Sequence, residues 1–544
     1  MGISILTAGA VAVAAQVYLS PIPEVSIVKV FVTYFAVNTA LYLYLSSYTP
    51  ISASIASLTV LNITFLATAT LLTLVRRAFF SPLSAFPGPP LYALTNLYKA
   101  NLYRTGRGAY ALLELHDKYN SDVIRLGPNE LSVRNVEAVE KLYKGKYPRG
   151  IPYDIAILEG ATNLNTERDY KIHTPWRRVW DKAFASSQLK DYNPRVEHHV
   201  SKLVEVIRKG EGQEVNVLPI FENFVFDIMS DLSFAHDAGM QDGKQENDYM
   251  DFIHKYMAII TVIGSLRPIH KFLPYLPVGA DVKAHRLRTE TLHSNRLKLG
   301  KTRKDIFTHL LDAEMDAPEG RTSMFTPAEL YCNSNVLIIA GADTTTSTLT
   351  RLFRALALHP QILKKLQQEI DEHCASGNEI SIESTKNLVY TNAVINESLR
   401  LMNPVADGIY AATPPSGITF PVFGNREEKV FIPGNVQVMI PHLALMTDER
   451  YFPKGNEFIP ERWSGEWDEG VLDRRAFIPF GYGAHSCVGK QLALNEMRVA
   501  LASLVREWDV VLGERYDENK WREGLKDYHV MKVGDLWGKF VPRA

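Results

Sequence analysis

A glycine-rich segment near the carboxyl end of the chain contains the residue with the clearest chemical potential. Residues 480–489 read FGYGAHSCVG, so three glycines lie close to Cys487. Glycine lets the backbone turn tightly around a flat or bulky group. Apolar residues recur at helical spacing from Leu494 to Trp508, which places Cys487 at a helix amino end, where the dipole favours a thiolate. A thiolate there can bind a haem iron, although a buried structural thiol explains the same loop.

A second chemical feature lies in the middle of a long predicted helix. Thr326 and Glu329 form a capping box, with proline at the first helical position, and an apolar run continues to about Leu358. A helix of that length would extend about 48 Å. Asp343 and Thr344 lie near its centre, although threonine lowers helix propensity and a buried carboxylate is costly without hydrogen bonds. The pair indicates either a chemical use or a water-filled kink without chemistry.

Four segments, in order along the chain, resemble signature motifs of the cytochrome P450 family. The cysteine loop is similar to F-x-x-G-x-(R/H)-x-C-x-G, with histidine where arginine is commoner. Residues 340–345 resemble the oxygen-activating helix motif, residues 397–400 resemble E-x-x-R, and residues 458–463 resemble P-E-R-F with a final tryptophan. E-x-x-R alone is weak evidence, because any helix with Glu and Arg three apart contains it. Four motifs in family order are strong evidence, and the resemblance covers roughly residues 83–540.

The resemblance implies that the chain binds haem b (iron protoporphyrin IX), with Cys487 as the axial ligand of the iron. Asp343 and Thr344 would orient water and relay protons to the distal oxygen. His173 and Arg177 are four residues apart, so they share one helix face, and they resemble the family's pair that binds a haem propionate. A basic surface cluster is the alternative. The residues implied to bind the cofactor are His173, Arg177, Phe480, Gly483, His485, Cys487 and Gly489.

A charged triad is implied to have a structural role behind the cysteine loop. In the family, the two E-x-x-R residues pair with the arginine of P-E-R, and here these are Glu397, Arg400 and Arg462. One expected cation is missing from the chain. Members often carry an arginine at the position of Ala411, so one haem propionate lacks its usual partner.

For function, the resemblance implies a monooxygenase that inserts one oxygen atom of O₂ into a lipophilic small molecule. Electrons would come from an NADPH-cytochrome reductase on the same membrane, and a terpenoid or indole-derived secondary metabolite is the expected substrate. Apolar stretches at 252–253, 256–260 and 272–277 are expected to line the access channel, although ordinary core packing explains them equally well. The alternatives are a haem-thiolate isomerase or dehydratase that uses no O₂, a haem sensor or carrier, and a scaffold with a degenerate domain. The Asp343–Thr344 pair argues against the first two, and Cys487 argues against the last.

The first eighty residues have a composition of their own. Apolar runs at 5–19, 30–46 and 51–75 are separated by prolines, and a spanning helix needs about 20 apolar residues. The sequence therefore predicts a membrane anchor of one to three transmembrane helices over residues 1–80. A cleaved signal peptide is the alternative, but residues 1–20 carry no Lys or Arg. Arg76 and Arg77 follow the third run, which places the catalytic domain (81–544) on the cytoplasmic side of the endoplasmic reticulum membrane.

The rest of the chain indicates a helix-rich body. After a proline-rich elbow at 86–90, strand-like pieces appear only at 122–126, 418–423 and 436–440, and the resemblance implies a mainly α fold with small β-sheets. A formal net charge of −1 over 544 residues argues against nucleic-acid binding, because there is no basic excess to neutralise phosphates. Three cysteines give no disulfide framework; Cys332 is expected to pack as a small hydrophobe, and Cys374 has no assigned role.

Overall fold

The computed structural model describes residues 5–19, 27–145, 147–156, 160–244, 248–266, 280–313 and 317–543. It begins with three apolar helices, α1 (Ile5–Leu19), α2 (Ile27–Ser46) and α3 (Ile51–Phe79). By length and composition, α2 from Val28 and α3 could each cross a membrane, and almost none of either helix is buried. Helix α1 has only 15 residues, so it is shorter than a span.

The body that follows is mostly helical, which confirms the predicted fold class. Its helices are α4 (Pro90–Leu94), α5 (Leu97–Arg104), α6 (Gly108–Tyr119), α7 (Val136–Tyr143), α8 (Tyr170–Ala183), α9 (Ser186–Lys209), α10 (Val217–Phe234), α11 (Asp248–Ser265), α12 (Ala280–Lys298), α13 (Ile306–Leu311), α14 (Pro327–Leu358), α15 (Pro360–Ala375), α16 (Val389–Leu401), α17 (His442–Met446), α18 (Glu461–Ser464), α19 (Lys490–Glu507) and α20 (Glu518–Gly524).

The strands form small sheets at the sides of the helical body. They are β1 (Val123–Gly127), β2 (Glu130–Val133), β3 (Glu214–Asn216), β4 (Ile409–Ala412), β5 (Ile418–Val422), β6 (Asn425–Ile432), β7 (Gln437–Ile440), β8 (Trp508–Leu512), β9 (Lys526–Tyr528), β10 (Val530–Lys532) and β11 (Trp537–Pro542). A four-stranded sheet has the order β1-β2-β7-β4, in which only β2 and β7 run parallel. A three-stranded sheet has the order β3-β11-β8, and β5-β6 and β9-β10 are antiparallel pairs. The three strand-like pieces in the sequence correspond to β1, β5 and β7.

The long predicted helix is present as α14 and is α-helical throughout. Its capping box forms as expected: the Thr326 hydroxyl accepts from the Glu329 N–H at 3.2 Å, and the Glu329 carboxylate accepts from the Thr326 N–H at 2.8 Å. Helix α14 packs against α10 in the largest apolar cluster of the body, where the Phe221 and Phe353 rings lie 5.0 Å apart. This buried position fixes one wall of the cavity described below.

The proline-rich elbow ties the anchor to the four-stranded sheet. The Arg125 N–H donates to the carbonyl oxygen of Pro87 at 2.7 Å. A Cβ on Gly88 would lie 2.5 Å from the Arg125 carbonyl oxygen, so this close approach requires glycine. The Arg77 guanidinium, at the end of α3, donates to the carbonyl oxygen of Leu94 at 2.7 Å. The third apolar helix is therefore joined to the body by hydrogen bonds rather than by a free linker.

Candidate active site

The cysteine loop is a tight turn that depends on glycine. Gly481 and Gly483 have φ of +69° and +71°, in the left-handed region. A Cβ on Gly483 would lie 1.8 Å from the Tyr143 carbonyl oxygen, so no larger residue fits there. The Cys487 N–H donates to the carbonyl oxygen of Phe480 at 2.8 Å, which closes the turn. The loop therefore holds Cys487 in one position just before α19.

The Cys487 side chain faces an internal cavity of about 410 Å³. Cys487 is an exposed residue, and its open surface borders this cavity. Burial raises the pKa of the Cys487 thiol, against the opposing effects of the Gly489 and Lys490 N–H groups and the Arg177 charge. The helix amino end favours the thiolate, as the sequence suggested, but burial outweighs it. A positive ion at the sulfur is needed to stabilise the thiolate.

Helix α14 brings Thr344 to this cavity, but not Asp343. Thr344 lines the cavity, and its Oγ1 donates to the carbonyl oxygen of Ala340 at 2.8 Å. Asp343 is buried on another face of the helix, where its carboxylate lies 3.1 Å from His254 Nε2. Burial lowers the pKa of His254, but the hydrogen bond and charge of Asp343 outweigh that effect and raise it. No hydrogen bond between Asp343 and Thr344 occurs in the described part of the chain.

Helix α8 contributes His173 and Arg177, and both line the cavity. The His173 ring lies 4.2 Å from the His485 ring, measured between centroids. The Arg177 guanidinium donates to the carbonyl oxygens of Ala484 and Ser486, at 3.1 and 2.5 Å. Arg177 is therefore bound to the cysteine loop itself, whereas His173 stands beside the loop.

Arg149 is a cation on the cavity wall that sequence reasoning missed. Its backbone forms an isolated antiparallel bridge with Ala411, the position where an arginine was expected and is absent. Its side chain lines the cavity, and its Nη2 donates weakly to the carbonyl oxygen of His485 at 3.5 Å. Burial, with the charges of Arg149 and Arg177, lowers the pKa of His173 to about 4. His173 is therefore a neutral group near pH 7, and the cations on this wall are arginines.

Several buried polar atoms around the cavity have no hydrogen-bond partner among the described residues. They include both ring nitrogens of His485, the Arg149 Nε and the Trp180 Nε1. Unpaired buried polar groups are costly and rare. A Cβ on Gly489 would lie 3.9 Å from the Cys487 Sγ, so this glycine leaves a bare surface beside the sulfur. These features fit a haem. The thiol suits its metal, the open glycine surface suits its flat ring, and the unpaired donors suit its carboxylates.

The predicted charged triad lies together in one buried network. The side chains of Glu397, Arg400 and Arg462 are each 0% exposed. Arg400 donates through Nε and Nη2 to the Glu397 carboxylate, both at 2.8 Å, and Arg462 donates through Nε at 3.0 Å. Asn403, just past the end of α16, donates to the carbonyl oxygen of Pro479 at 3.1 Å. Asn403 thus joins the end of α16 to the start of the cysteine loop, and the structural role of the triad remains a prediction.

Trp463 is a further member of this network that the sequence did not identify. It stands where the family pattern has phenylalanine, and its indole Nε1 donates to Glu397 Oε2 at 2.9 Å. Its ring lies 4.4 Å from that of Phe477, shortly before the cysteine loop. The only sequence signal for this bond is the indole N–H itself, because tryptophan can donate where phenylalanine cannot.

Glu496 is a buried acid on the same cavity wall, and the sequence analysis also missed it. It lies on α19, nine residues after Cys487, and is 1% exposed. Its Oε1 has no hydrogen-bond partner within the described residues. Burial raises the pKa of Glu496 to about 8, although a hydrogen bond with Thr345 lowers it. Glu496 is therefore a neutral acid near pH 7 that lines the same cavity as Thr344.

Comparisons with known proteins identify the family of the chain. The family model for cytochrome P450 matches residues 87–526. The chain is 31% identical over 482 residues to cytochrome P450 monooxygenase orf5 of Eupenicillium brefeldianum, covering 86% of this chain and 93% of that protein. It is 30% identical over 483 residues to cytochrome P450 monooxygenase FCK2 of Fusarium pseudograminearum, covering 87% and 84% respectively.

A solved structure shows that the fold is shared as well. The haem domain of cytochrome P450DA matches with a TM-score of 0.68 at 17% identity, covering 84% of this chain and 98% of that one. At this identity the match establishes the fold, and the family model and the curated relatives establish the family. The chain therefore belongs to the cytochrome P450 family, and it is a cytochrome P450 monooxygenase.

Proposed function

We propose that this chain is a membrane-anchored monooxygenase that oxidises a lipophilic small molecule, with haem b as its cofactor and Cys487 as the residue that would bind its iron. One observation carries the proposal: Cys487, Thr344 and a set of unpaired polar groups all face one cavity. When bound, haem b supplies the activation of O₂, and thiolate ligation favours cleavage of the O–O bond. The protein has to hold the cofactor, orient the substrate and supply protons.

The cofactor carboxylates are assigned to groups that lie beside the cysteine loop. Arg149 takes the place of the arginine missing at Ala411, and His173 and His485 act as neutral donors next to it. Arg177 acts on the loop instead, because its guanidinium is bound to two loop carbonyl oxygens. Phe480, Gly483 and Gly489 shape the turn that presents the sulfur. This assignment keeps the cofactor-binding residues predicted from the motifs except Arg177, which acts through the loop, and adds Arg149.

Proton delivery is assigned to Thr344 as the last protein group before the substrate. Its Oγ1 already donates to the Ala340 carbonyl, so its lone pairs are free to accept a hydrogen bond from the cavity side. Asp343 is the preceding group of the proposed relay and lies on the other face of the helix, beside His254 and Glu222. These three residues line a pocket of about 10 Å³, which has room for at most about one water. Transfer from Asp343 to Thr344 therefore requires rotation of the carboxyl group or a bridging water.

Apolar surfaces support two parts of the proposal, the lipophilic substrate and the membrane anchor. Met257 and Ile260 of α11 line the cavity, as the apolar stretch at 256–260 suggested. The stretch at 272–277 lies outside the described residues. Helices α2 and α3 support a membrane anchor, and Arg76 and Arg77 near the end of α3 support a cytoplasmic body at the endoplasmic reticulum. An NADPH-cytochrome reductase on that membrane would supply electrons, and a terpenoid or indole-derived secondary metabolite would be the substrate.

The test is a spectrum followed by turnover. The purified full chain, reduced under carbon monoxide, should show the red-shifted Soret band of a thiolate-ligated haem, and Cys487→His should lose that band. With NADPH, reductase and ¹⁸O₂, a panel of terpenes and indoles should give a product that carries one labelled oxygen. A histidine-type spectrum in intact wild-type protein, or a product that forms without O₂, would overturn the proposal.

A further inference from the structure

The α14 wall of the cavity contains a buried amide whose oxygen has no hydrogen-bond partner. Asn335 lies in the first half of α14, lines the cavity and is 3% exposed. Its Oδ1 accepts no hydrogen bond from any of the described residues. Burying an amide oxygen without a donor is costly, and such groups are rare in folded proteins. The position of Asn335 therefore needs a reason.

The two polar residues just before Asn335 show what a structural role looks like in this turn of the helix. Asn333 donates through Nδ2 to the carbonyl oxygen of Glu329 at 2.8 Å, and its Oδ1 accepts from the Leu164 N–H at 3.0 Å. The Ser334 hydroxyl donates to a carbonyl oxygen of its own helix at 2.8 Å. Packing within the protein therefore explains Asn333 and Ser334. The Asn335 amide forms neither kind of bond within the described residues, so its partner has to come from the cavity.

The chemistry of an amide in an apolar wall determines what kind of group it can bind. Val336 and Ile339 follow Asn335 on α14 and line the cavity, as do Met257 and Ile260 of α11. An amide has no net charge, so it does not offset the cost of bringing an ion into such a pocket. Its oxygen accepts a hydrogen bond from an O–H or N–H group, and it cannot pair with a hydrocarbon. The matching group on a ligand is a neutral hydroxyl or N–H.

We infer that Asn335 accepts a hydrogen bond from the substrate, so that the natural substrate is a lipophilic molecule that already carries a neutral hydroxyl or N–H group. This inference rests on the proposed function and narrows its substrate class. Asn335 precedes Thr344 by nine residues, which is about 13.5 Å along the axis of α14. The hydroxyl or N–H group is therefore held well away from the carbon that is oxidised near Thr344. A terpene alcohol or an indole fits this arrangement, whereas a bare terpene hydrocarbon does not.

The test compares two probes of equal shape on the haem-loaded full chain in detergent. The probes are para-hexylphenol and para-hexyltoluene, which differ only in a hydroxyl group that is replaced by a methyl group. Kd is measured by calorimetry for wild type, Asn335→Leu and Asn165→Leu. Leucine has nearly the shape of asparagine but cannot form hydrogen bonds. Asn165 is the matched control, because it also lines the cavity but is only half-buried, so water can satisfy its amide.

We expect the preference of wild type for the phenol over the toluene to fall at least about tenfold in Asn335→Leu and to persist in Asn165→Leu. Most of that change should come from tighter binding of the toluene, because the variant no longer buries an unpaired amide against it. Equal preference in wild type and Asn335→Leu would overturn the inference. If Asn335→Leu fails to load haem, Asn335→Ala, which adds no bulk, takes its place under the same criterion. Failure of the proposed function shows separately, as the loss of the thiolate spectrum in wild type.

Discussion

Trp463 offers a direct test of how the buried charge network supports the cysteine loop. Its indole Nε1 donates to Glu397 Oε2 at 2.9 Å, and its ring packs on that of Phe477. Trp463→Phe removes one hydrogen bond to a charged group, which contributes about 1.5–3 kcal/mol. The smaller ring costs roughly 1 kcal/mol more through lost packing. Glu397 keeps its bonds to Arg400 and Arg462, so we expect the fold to survive with a total loss of about 2.5–4 kcal/mol.

Trp508→Phe is the matched control for this variant. Trp508 is 1% exposed, and its Nε1 donates at 3.1 Å to Glu211, whose side chain is at the surface, where such a bond contributes about 0–1 kcal/mol. Urea unfolding, followed by circular dichroism and by the thiolate spectrum under carbon monoxide, measures both losses. Trp463→Phe should lower the midpoint more than Trp508→Phe and should lose haem earlier. If the two variants lost equal stability, the bond to Glu397 would contribute nothing and this reasoning would be wrong.

Three further outcomes are expected from other residues of the cavity. Thr344→Ala should keep the thiolate spectrum but turn NADPH consumption into peroxide release, because positioned proton transfer contributes about 10²–10⁴-fold. The control Thr350→Ala, whose buried hydroxyl bonds to its own helix, should still convert NADPH into product. Unchanged product per NADPH in Thr344→Ala would refute the assignment. The pKa of Glu496 rises from 4.5 to about 8 on folding, so the folded protein holds an extra proton between those pH values. The stability of wild type should therefore fall relative to that of Glu496→Gln as pH rises through this window. If the difference in unfolding midpoint between the two proteins were the same at about pH 5 and about pH 8.5, the prediction would be wrong. Arg149→Ala should lower the haem-to-protein absorbance ratio, and adding Ala411→Arg to that variant should restore it. If the ratio did not recover, arginines at the two positions would not reach the same cofactor carboxylate.

Local signals predicted the largest elements well. The capping box at Thr326 and the apolar run behind it specify α14 from residues that are close in sequence. Some of the missed strands are short and pair with distant partners: β3 (Glu214–Asn216) pairs with β11 (Trp537–Pro542), more than 300 residues away in the chain. Strands of three to six residues have too few alternating positions for a pattern to show. Such pairing follows from the folded topology and not from local propensity.

The sequence predicted which residues belong to the site better than it predicted how they are placed relative to one another. Motif spacing identified Cys487 and Thr344, and both face the cavity. It also implied a joint role for Asp343 and Thr344, but neighbouring residues on an α-helix point about 100° apart. Here Thr344 lines the cavity, whereas Asp343 turns away from it to His254. Glu496 was overlooked because an acid at an inward position of an amphipathic helix looks like an ordinary polar residue until its burial is known.

The chain has alanine at position 411, where an arginine was expected. A positive charge that a site requires can come from any residue that is close to the site in the fold, and not only from one sequence position. Two residues opposite each other at an antiparallel bridge have Cα atoms about 4.5–5.5 Å apart. A side chain as long as arginine, attached to either one, reaches the same volume. Arg149 is opposite Ala411, and its guanidinium lies beside the loop residue His485 with an unused donor. An alignment that compares only position 411 therefore reports a lost cation, whereas the fold places Arg149 on the neighbouring segment and at the cavity wall.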